Sequence, residues 1–178
     1  MEIETTEFED LLVIHNRPLS DDRGKFLKLF NYDFFKNENL NTDFKEFYYS
    51  ISKKDVIRGM HFQVPPYHHV KLIYVSHGRI LDVVIDLRRS SLTYKKYFVI
   101  ELDDVNGRYL YIPEGFAHGF LSLDNKTIVN YAQTSCYSKV HDSGILYNSF
   151  GFDWGIMNPI LSERHLDFEE LNNFKSPF

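Results

Sequence analysis

The sequence predicts an all-β protein built as an antiparallel sandwich or barrel. Short runs suited to strands recur along the whole chain, and turn signals such as SDDRG, PPYHH, DDVNG and PEG separate many of them. Aromatic residues, which favour strands, make up 16% of the composition. No repeat, low-complexity tract or linker divides the 178 residues, so we expect one domain over residues 1–178.

The predicted elements follow from these runs in chain order. The strands are Leu11–His15, Phe26–Phe30, Phe44–Ile51, Val56–Gln63, Val70–Val75, Arg79–Leu87, Thr93–Ile100, Arg108–Ile112, Ala117–Leu123 and Thr127–Thr134. Two stretches are predicted as short helices, Asp33–Leu40 and Ser162–Asn172. Ser162 is the expected N-cap of the second helix, which begins a helical C-terminal tail at residues 162–178.

The stretch GRILDVVIDLRR alternates with the period of a strand. One face carries Leu81, Val83, Ile85 and Leu87, and the other carries Ile80, Asp82, Val84, Asp86 and Arg88. We expect the purely apolar face to pack between two sheets. The mixed face then either lines a polar cavity or meets solvent.

Composition and charge exclude several classes of function. The net charge is −5 and the basic residues are dispersed, so no nucleic-acid partner is expected. No apolar run approaches the roughly 18 residues of a membrane span, and the acidic N-terminus MEIETTEFED lacks the apolar core of a signal peptide. The single cysteine, Cys136, allows no intrachain disulfide, which fits a cytoplasmic protein.

Two predicted strands carry histidines and a third opens on a lysine. From its strand position alone, His61 in VIRGMHFQ is a half-buried histidine bonded to the backbone, a metal ligand or a base, and the first role is the commonest. Lys71 in VKLIYV has the position of a solvated strand end. His118 in IPEGFAHGF follows a tight turn. No metal is expected, because HFQ lacks a second histidine and no tight ligand cluster appears.

One spacing is similar to a known barrel motif. Gly107, Pro113, Gly115 and His118 resemble the second cupin motif, whereas the first motif is only partly present, with Gln63 where a second histidine would stand. This pattern indicates a cupin-type barrel without the usual metal ligands.

Longer stretches resemble one family, the dTDP-4-dehydrorhamnose 3,5-epimerases. These stretches are DDRGKFLKLFN, VIRGMHFQ, VKLIYVSHGRILDVVIDLRRSSLTYKKY, YIPEGFAHGFLSL, GILYNSFGFDW and PILSER, in the family's order over roughly residues 10–164. The resemblance implies a jelly-roll (cupin-like) barrel with short peripheral helices that forms homodimers. It also implies epimerisation of a nucleotide-linked 4-keto-6-deoxy sugar at C3, C5 or both, in deoxysugar or surface-polysaccharide biosynthesis, with no metal or organic cofactor.

The resemblance also implies roles for individual residues. His61 would remove a proton beside the ketone, and Lys71 would stabilise the enolate oxygen. Tyr131 and Tyr137 are the remaining catalytic candidates. The candidate substrate-binding residues are Arg23, Phe26, Lys28, Glu46, Tyr48, Arg58, Gln63, His118 and Arg164, of which Arg23 and Arg58 would contact the phosphates.

The chain departs from the family pattern at the proton donor. Aligning the family's YKTTDYY with AQTSCYS puts Ala132 at the donor tyrosine and places a second tyrosine near Ser138. Tyr131 is expected to face away from Ala132 on the strand. A one-residue slip would restore both tyrosines but break the match at the shared threonine. Reprotonation by water, Tyr131 or Tyr137 therefore stays open.

Further departures affect the partner of the base and the nucleotide. His165 in PILSERHL stands where the family has an aspartate that pairs with the catalytic histidine, so the base is expected to be tuned differently. Lys28, Glu46 and Tyr48 replace a glutamate, a glutamine and an asparagine, so a different nucleotide preference is expected. The alternatives to an epimerase are a sugar-nucleotide 3,4-ketoisomerase and a non-catalytic homologue that binds sugar nucleotides.

Overall fold

A computed structural model describes all 178 residues and confirms the all-β prediction. The strands are β1 (Glu2–Thr5), β2 (Leu12–His15), β3 (Leu19–Asp21), β4 (Gly24–Phe26), β5 (Glu46–Ser52), β6 (Ile57–Gln63), β7 (Lys71–His77), β8 (Arg79–Asp86), β9 (Tyr97–Asp103), β10 (Arg108–Ile112), β11 (Phe116–Ser122), β12 (Thr127–Gln133) and β13 (Asp142–Gly144). The helices are α1 (Tyr32–Asn37) and α2 (Glu163–Leu166). Neither helix has the length and apolar character needed to cross a membrane.

Two antiparallel sheets pack face to face as a jelly-roll barrel. The six-stranded sheet has the order β1-β2-β10-β7-β12-β5, and the five-stranded sheet has the order β13-β6-β11-β8-β9. The hairpin β3–β4 forms a separate two-stranded sheet. Neighbouring strands come from distant parts of the chain, so residues far apart in sequence meet at one end of the barrel.

The core between the sheets corrects the prediction for β8. Ile80 and Val84, from the mixed face, pack in the interior with Ile73 and Val75 of β7. The expectation that the purely apolar face lies between the sheets is therefore wrong. Val83, Ile85 and Leu87 instead pack with Ile145, Trp154 and Leu171 of the C-terminal segment, which covers the outer face of the five-stranded sheet. Because both faces are covered, alternation alone did not reveal which one is the interior.

Several predicted boundaries shift in the structure. The run Phe26–Phe30 is not a strand, since only Phe26 pairs, at the end of the β3–β4 hairpin. The predicted strand at Thr93–Ile100 begins at Tyr97, because the preceding residues form turns and Thr93 donates a 2.7 Å hydrogen bond to Asp86. The predicted helix Ser162–Asn172 shortens to α2, and the Ser162 side chain makes no capping bond. The pattern also missed β1, β3 and β13.

Candidate active site

A cavity of about 270 Å³ opens between the two sheets at one end of the barrel. Strands β5, β6, β7 and β12, the loop after β12 and helix α2 all contribute to its wall. The lining residues are Glu46, Tyr48, His61, Phe62, Gln63, His69, Lys71, Gln133, Tyr137, Asp142 and Arg164. Seven of the residues predicted from the sequence are in this set: His61, Lys71, Tyr137, Glu46, Tyr48, Gln63 and Arg164.

A close approach of β6 and β11 positions His61. In the strand register His118 lies opposite His61 and Phe120 lies opposite Arg58, so β6 carries an extra residue between these pairs. Gly59 has a φ of 143°, and a Cβ atom there would lie 2.4 Å from the backbone of β11, so only glycine fits. The irregularity is compatible with His61 pointing into the cavity.

His61 is hydrogen-bonded to a second histidine from the C-terminal segment. Its Nε2 atom lies 2.8 Å from Nε2 of His165, and the Phe168 ring packs against both imidazoles. Burial lowers the pKa of His61 well below its usual value, and the positive charge of nearby Lys71 lowers it further. His61 is therefore neutral at pH 7 and keeps a lone pair available, as a general base requires.

Lys71 places a buried ammonium group beside this base. Its side chain is almost inaccessible, and Nζ lies 3.5 Å from the backbone oxygen of His61. Burial lowers the pKa of Lys71 to about 8, while Asp142 and Asp82 act in the opposite direction. The group therefore remains mostly protonated at pH 7 and can stabilise an anion in the cavity. The sequence expectation of a solvated strand end is wrong for this lysine.

The wall contributed by β5 and β12 is a hydrogen-bonded network. Gln133 donates from Nε2 to Glu46 at 2.9 Å and accepts from the Tyr48 hydroxyl at 3.2 Å. Glu46 also accepts from the backbone N–H of Tyr137 at 2.6 Å. Glu46 and Tyr48, the two positions that depart from the family pattern, are therefore both hydrogen-bonded to Gln133, and these bonds stabilise the wall.

Asp142 completes the opposite side of the cavity and was not found from the sequence. It pairs with Arg164 and accepts a 3.1 Å hydrogen bond from the Tyr137 hydroxyl. Its only sequence signal is a carboxylate in a turn-like segment, which is too common to identify a site. Gln133 was also missed, although it shares a strand face with Tyr131.

The structure reverses the predicted orientations at the proton-donor position. Ala132 does not face the cavity, because its side chain packs with Leu72 and Phe35 on the outer face of the six-stranded sheet. Tyr131 faces the interior, where it stacks on Tyr48 with ring centroids 4.6 Å apart and lies edge-on to His118 at 6.3 Å. Helix α1 and the segment around it cover the outer face, so the interior position in this strand is 131.

His118 forms a buried hydrogen bond deeper in the interior. Its Nε2 donates to Asp82 at 2.8 Å, and both side chains are almost inaccessible. The mixed face of β8 therefore carries a buried aspartate that partners His118 rather than meeting solvent. No group of three or more His, Cys, Asp or Glu side chains is arranged to hold a metal ion.

Five predicted substrate-binding residues lie outside the cavity lining, namely His118, described above, and Arg23, Phe26, Lys28 and Arg58; the catalytic candidate Tyr131 is also outside it. Arg58 bonds through Nε to Ser52 at 3.0 Å and stays exposed beside the site. Arg23 and Phe26 are exposed on the β3–β4 hairpin, and Lys28 follows them in a separate surface depression shared with Phe26. The fold of one chain does not bring the hairpin residues to His61.

The buried histidines predict how stability depends on pH. Burial is the main cause that lowers the pKa values of His61, His69 and His165, in the case of His69 to about 3. The unfolded chain takes up protons near pH 6.5 while these folded groups do not, so the folded state loses stability as the pH falls below about 6.5.

We therefore expect urea midpoints to fall between pH 6.5 and pH 5, above the range where carboxylates titrate, with each group costing at most about 1.4 kcal/mol per pH unit. In a His69→Gln variant the urea midpoint is expected to fall less steeply than in the wild type. In His77→Gln, which changes an exposed histidine, the fall is expected to equal that of the wild type. A wild-type midpoint that stays level over this range would contradict the argument.

Comparisons with known proteins agree with the fold and identify a family. A family model described as dTDP-4-dehydrorhamnose 3,5-epimerase matches residues 5–173. The Shigella flexneri dTDP-4-dehydrorhamnose 3,5-epimerase is 36% identical over 94% of each chain. A Bacillus anthracis enzyme of the same name, solved with TDP and pyrophosphate bound, superposes with a TM-score of 0.92 at 37% identity, covering 96% of this chain and 99% of that one.

A second solved relative carries a sugar nucleotide. The Legionella pneumophila dTDP-6-deoxy-D-glucose-3,5-epimerase, in complex with dTDP-4-keto-L-rhamnose, has a TM-score of 0.92 at 29% identity and covers 98% of this chain and 94% of that chain.

Proposed function

This chain belongs to the dTDP-4-dehydrorhamnose 3,5-epimerase family, and we propose that it epimerises a nucleotide-linked 4-keto-6-deoxy sugar with His61 as the base. The observation that carries the proposal is the pairing, in one cavity, of a neutral buried imidazole with a buried ammonium group. Removal of a proton next to a ketone needs both: a base for the proton and a cation for the oxygen.

The chemistry follows from the positions of these two groups. His61 breaks a C–H bond on a carbon beside the C4 ketone, and the electron pair moves into an enolate. Lys71 stabilises the negative oxygen, and its ammonium acts strongly because the site is shielded from water. Return of a proton to the opposite face of the same carbon inverts it. These proton transfers need no metal or organic cofactor, so we expect turnover to survive treatment with a chelator.

Tyr131 is the proposed acid that returns the proton. Burial raises its pKa above the usual value, so its hydroxyl keeps its proton at neutral pH. Its hydroxyl is hydrogen-bonded to the Ser50 hydroxyl, at 3.3 Å. Tyr137 is more exposed, and its hydroxyl donates a hydrogen bond to the Asp142 carboxylate. That hydroxyl is therefore less available to protonate the sugar. The interior orientation of Tyr131 supports this choice over water.

Deuterium uptake tests the proposal directly. A dTDP-linked 4-keto-6-deoxyglucose is incubated with the protein in heavy water, with UDP- and GDP-linked analogues in parallel because of the departures at Lys28, Glu46 and Tyr48. We expect deuterium at C3, C5 or both with at least one nucleotide, seen by NMR and mass spectrometry. Binding without exchange would indicate a non-catalytic homologue, and a product carbonyl at C3 would indicate a ketoisomerase; either outcome rejects the proposal.

A homodimer is part of the proposal, because the hairpin residues lie away from the cavity of their own chain. The exposed Arg23 and Phe26 on β3–β4 can contact a sugar nucleotide at the site of a second copy. Arg23 and Arg58 then supply guanidinium groups for the two phosphates. The cytoplasm remains the proposed location, which the single cysteine Cys136 supports.

Mixing two inactive variants tests the shared site. Arg23→Ala and His61→Asn each damage both sites of a dimer, whereas a mixed dimer keeps one intact site. After subunit exchange we expect activity to recover to about a quarter of the wild-type value, as two-fold symmetry requires. If Arg23 acts within its own chain, the mixed dimer has no intact site, and the mixture stays as inactive as its components.

A further inference from the structure

We propose that His165 and His61 form a two-imidazole proton relay in which His165 fixes the tautomer of His61 and then accepts a proton from it. His165 does not touch the cavity and acts through His61, so it is a positioning residue. The tautomer part of the proposal rests on the contact between the two rings and on the surroundings of His165. The transfer part rests on the proposed function, which supplies the proton from the sugar.

The contact between the two rings requires one hydrogen atom. Nε2 of His61 and Nε2 of His165 lie 2.8 Å apart, so one nitrogen donates and the other accepts. If His165 donates, the hydrogen of neutral His61 must sit on Nδ1, and His61 has no free lone pair. If His61 donates, Nδ1 carries the lone pair. Only the second arrangement leaves a base in the cavity.

The surroundings of His165 favour the second arrangement. Its Nδ1 atom is buried without a well-formed hydrogen bond. The backbone carbonyl of Ile57 acts on this ring and raises the pKa of His165, although burial, as the larger effect, lowers that pKa overall. A carbonyl oxygen stabilises an N–H and repels a lone pair. With His61 as the donor, Nε2 of His165 accepts, and the hydrogen of neutral His165 lies on its buried Nδ1.

The proton balance of the relay closes with Tyr131 and solvent water. The C–H bond of the sugar breaks, an N–H bond forms at Nδ1 of His61, and the electron pair remains on the enolate. The hydrogen on Nε2 of His61 moves to Nε2 of His165. His61 is then neutral with its hydrogen on Nδ1, and His165 is an imidazolium. Tyr131 gives its proton to the opposite face of the carbon and becomes a phenolate. The reverse movement then lets Nδ1 of His61 lose its proton to solvent water, and the Tyr131 phenolate regains one from solvent, which restores the starting state.

The charges around the pair explain why a neutral partner matters. Lys71, Arg164 and His118 all lower the pKa of His61, and Arg164 and Arg58 lower that of His165. Asp142 is the carboxylate that opposes them at His165. In this cationic site a single imidazolium beside Lys71 is unfavourable. The relay moves the positive charge one ring further from Lys71, whereas a carboxylate at position 165 would hold it on His61.

Nitrogen NMR of the wild-type protein tests the tautomers without any substrate. With ¹⁵N-labelled histidine at pH 8, we expect a lone-pair-bearing Nδ1 in His61 and a protonated Nδ1 in His165. On lowering the pH, both rings are expected to shift together as a coupled pair. A protonated Nδ1 in His61, or rings that titrate independently, would overturn the proposal.

Variants at position 165 then separate transfer from orientation. His165→Gln can accept the same hydrogen bond but cannot take up a proton, so we expect kcat to fall about tenfold with KM unchanged. His165→Glu orients His61 and holds the positive charge on it, so kcat is expected to recover without transfer to residue 165 while the acid limb of the pH profile moves to higher pH. His77→Gln, at an exposed histidine, is the matched control.

The outcomes distinguish this inference from the proposed function. A kcat of His165→Gln equal to that of wild type, or an acid limb that does not move in His165→Glu, would overturn the relay. The expected tautomers in a protein that exchanges no sugar proton would reject the proposed function and retain the tautomer assignment. Proton exchange with the opposite tautomers would reject the relay and retain the function.

Discussion

Replacing His61 by asparagine is expected to lower both epimerisation and deuterium exchange by roughly 10²–10⁴-fold, the range that a positioned general base supplies. Asparagine keeps a polar side chain beside His165 but has no lone pair that can take up a proton at neutral pH. The rate of exchange at C3 and C5, followed by NMR in heavy water, measures the loss. The other proton-accepting side chains in the lining, His69, Glu46 and Asp142, are already paired with neighbouring side chains, so we expect none of them to replace His61.

The matched control is His77→Asn, which makes the same change at an exposed histidine outside the cavity. We expect it to exchange at the wild-type rate. Circular dichroism and urea midpoints check that His61→Asn is folded, and the affinity for dTDP is expected to stay within a few-fold of wild type. Exchange by folded His61→Asn at more than a tenth of the wild-type rate would remove His61 as the base.

Replacing Tyr131 by phenylalanine is expected to separate the two halves of the reaction. Proton removal by His61 continues, so deuterium still enters on the face from which the base acts, at close to the wild-type rate. Formation of the epimerised product falls by roughly 10²–10³-fold, because the acid on the other face is missing. Both rates come from a single time course by NMR. The change removes only a hydroxyl bonded to Ser50, so the fold is retained.

Two further tyrosine variants make the test specific. Tyr109→Phe removes a buried hydroxyl that has no partner, in the cluster on the outer face of the sheet, and is expected to leave activity unchanged. Tyr137→Phe loosens the Asp142 side of the cavity and is expected to cause a loss of less than about tenfold. If Tyr137→Phe loses the epimerised product while Tyr131→Phe retains it, the acid is Tyr137.

The candidate residues differ in whether a short stretch of sequence is enough to identify them. His61 and Lys71 stand in short stretches with a specific residue order, and both line the cavity. Asp142 and Gln133 have no such signal, since a lone carboxylate or amide in a polar stretch is common. Arg23 and Phe26 resemble the family's residues equally well, yet the fold of one chain places them elsewhere, because their location depends on a hairpin that leaves the barrel.

The orientations of side chains on strands are also only partly predictable from the sequence. Alternation correctly separates Tyr131 from Ala132 and Asp82 from Val83, because successive side chains point to opposite faces. It cannot tell which face is the interior when both are covered. Helix α1 covers one sheet and the C-terminal segment covers the other, so the prediction chose the wrong face for β8 and for position 132.

The sequence by itself indicated the all-β class and, through its resemblance to the family, named His61 and Lys71 as candidates for the base and the cation, because periodicity and short motifs are local. The resemblance placed His165 at the partner position, and only the tertiary structure showed that a histidine there, 104 positions from His61, still contacts it at 2.8 Å. The tertiary structure also decided that Lys71 is buried and that Tyr131 faces inward. These features arise from packing between distant segments, where burial and nearby charge set the chemistry and no local pattern records them.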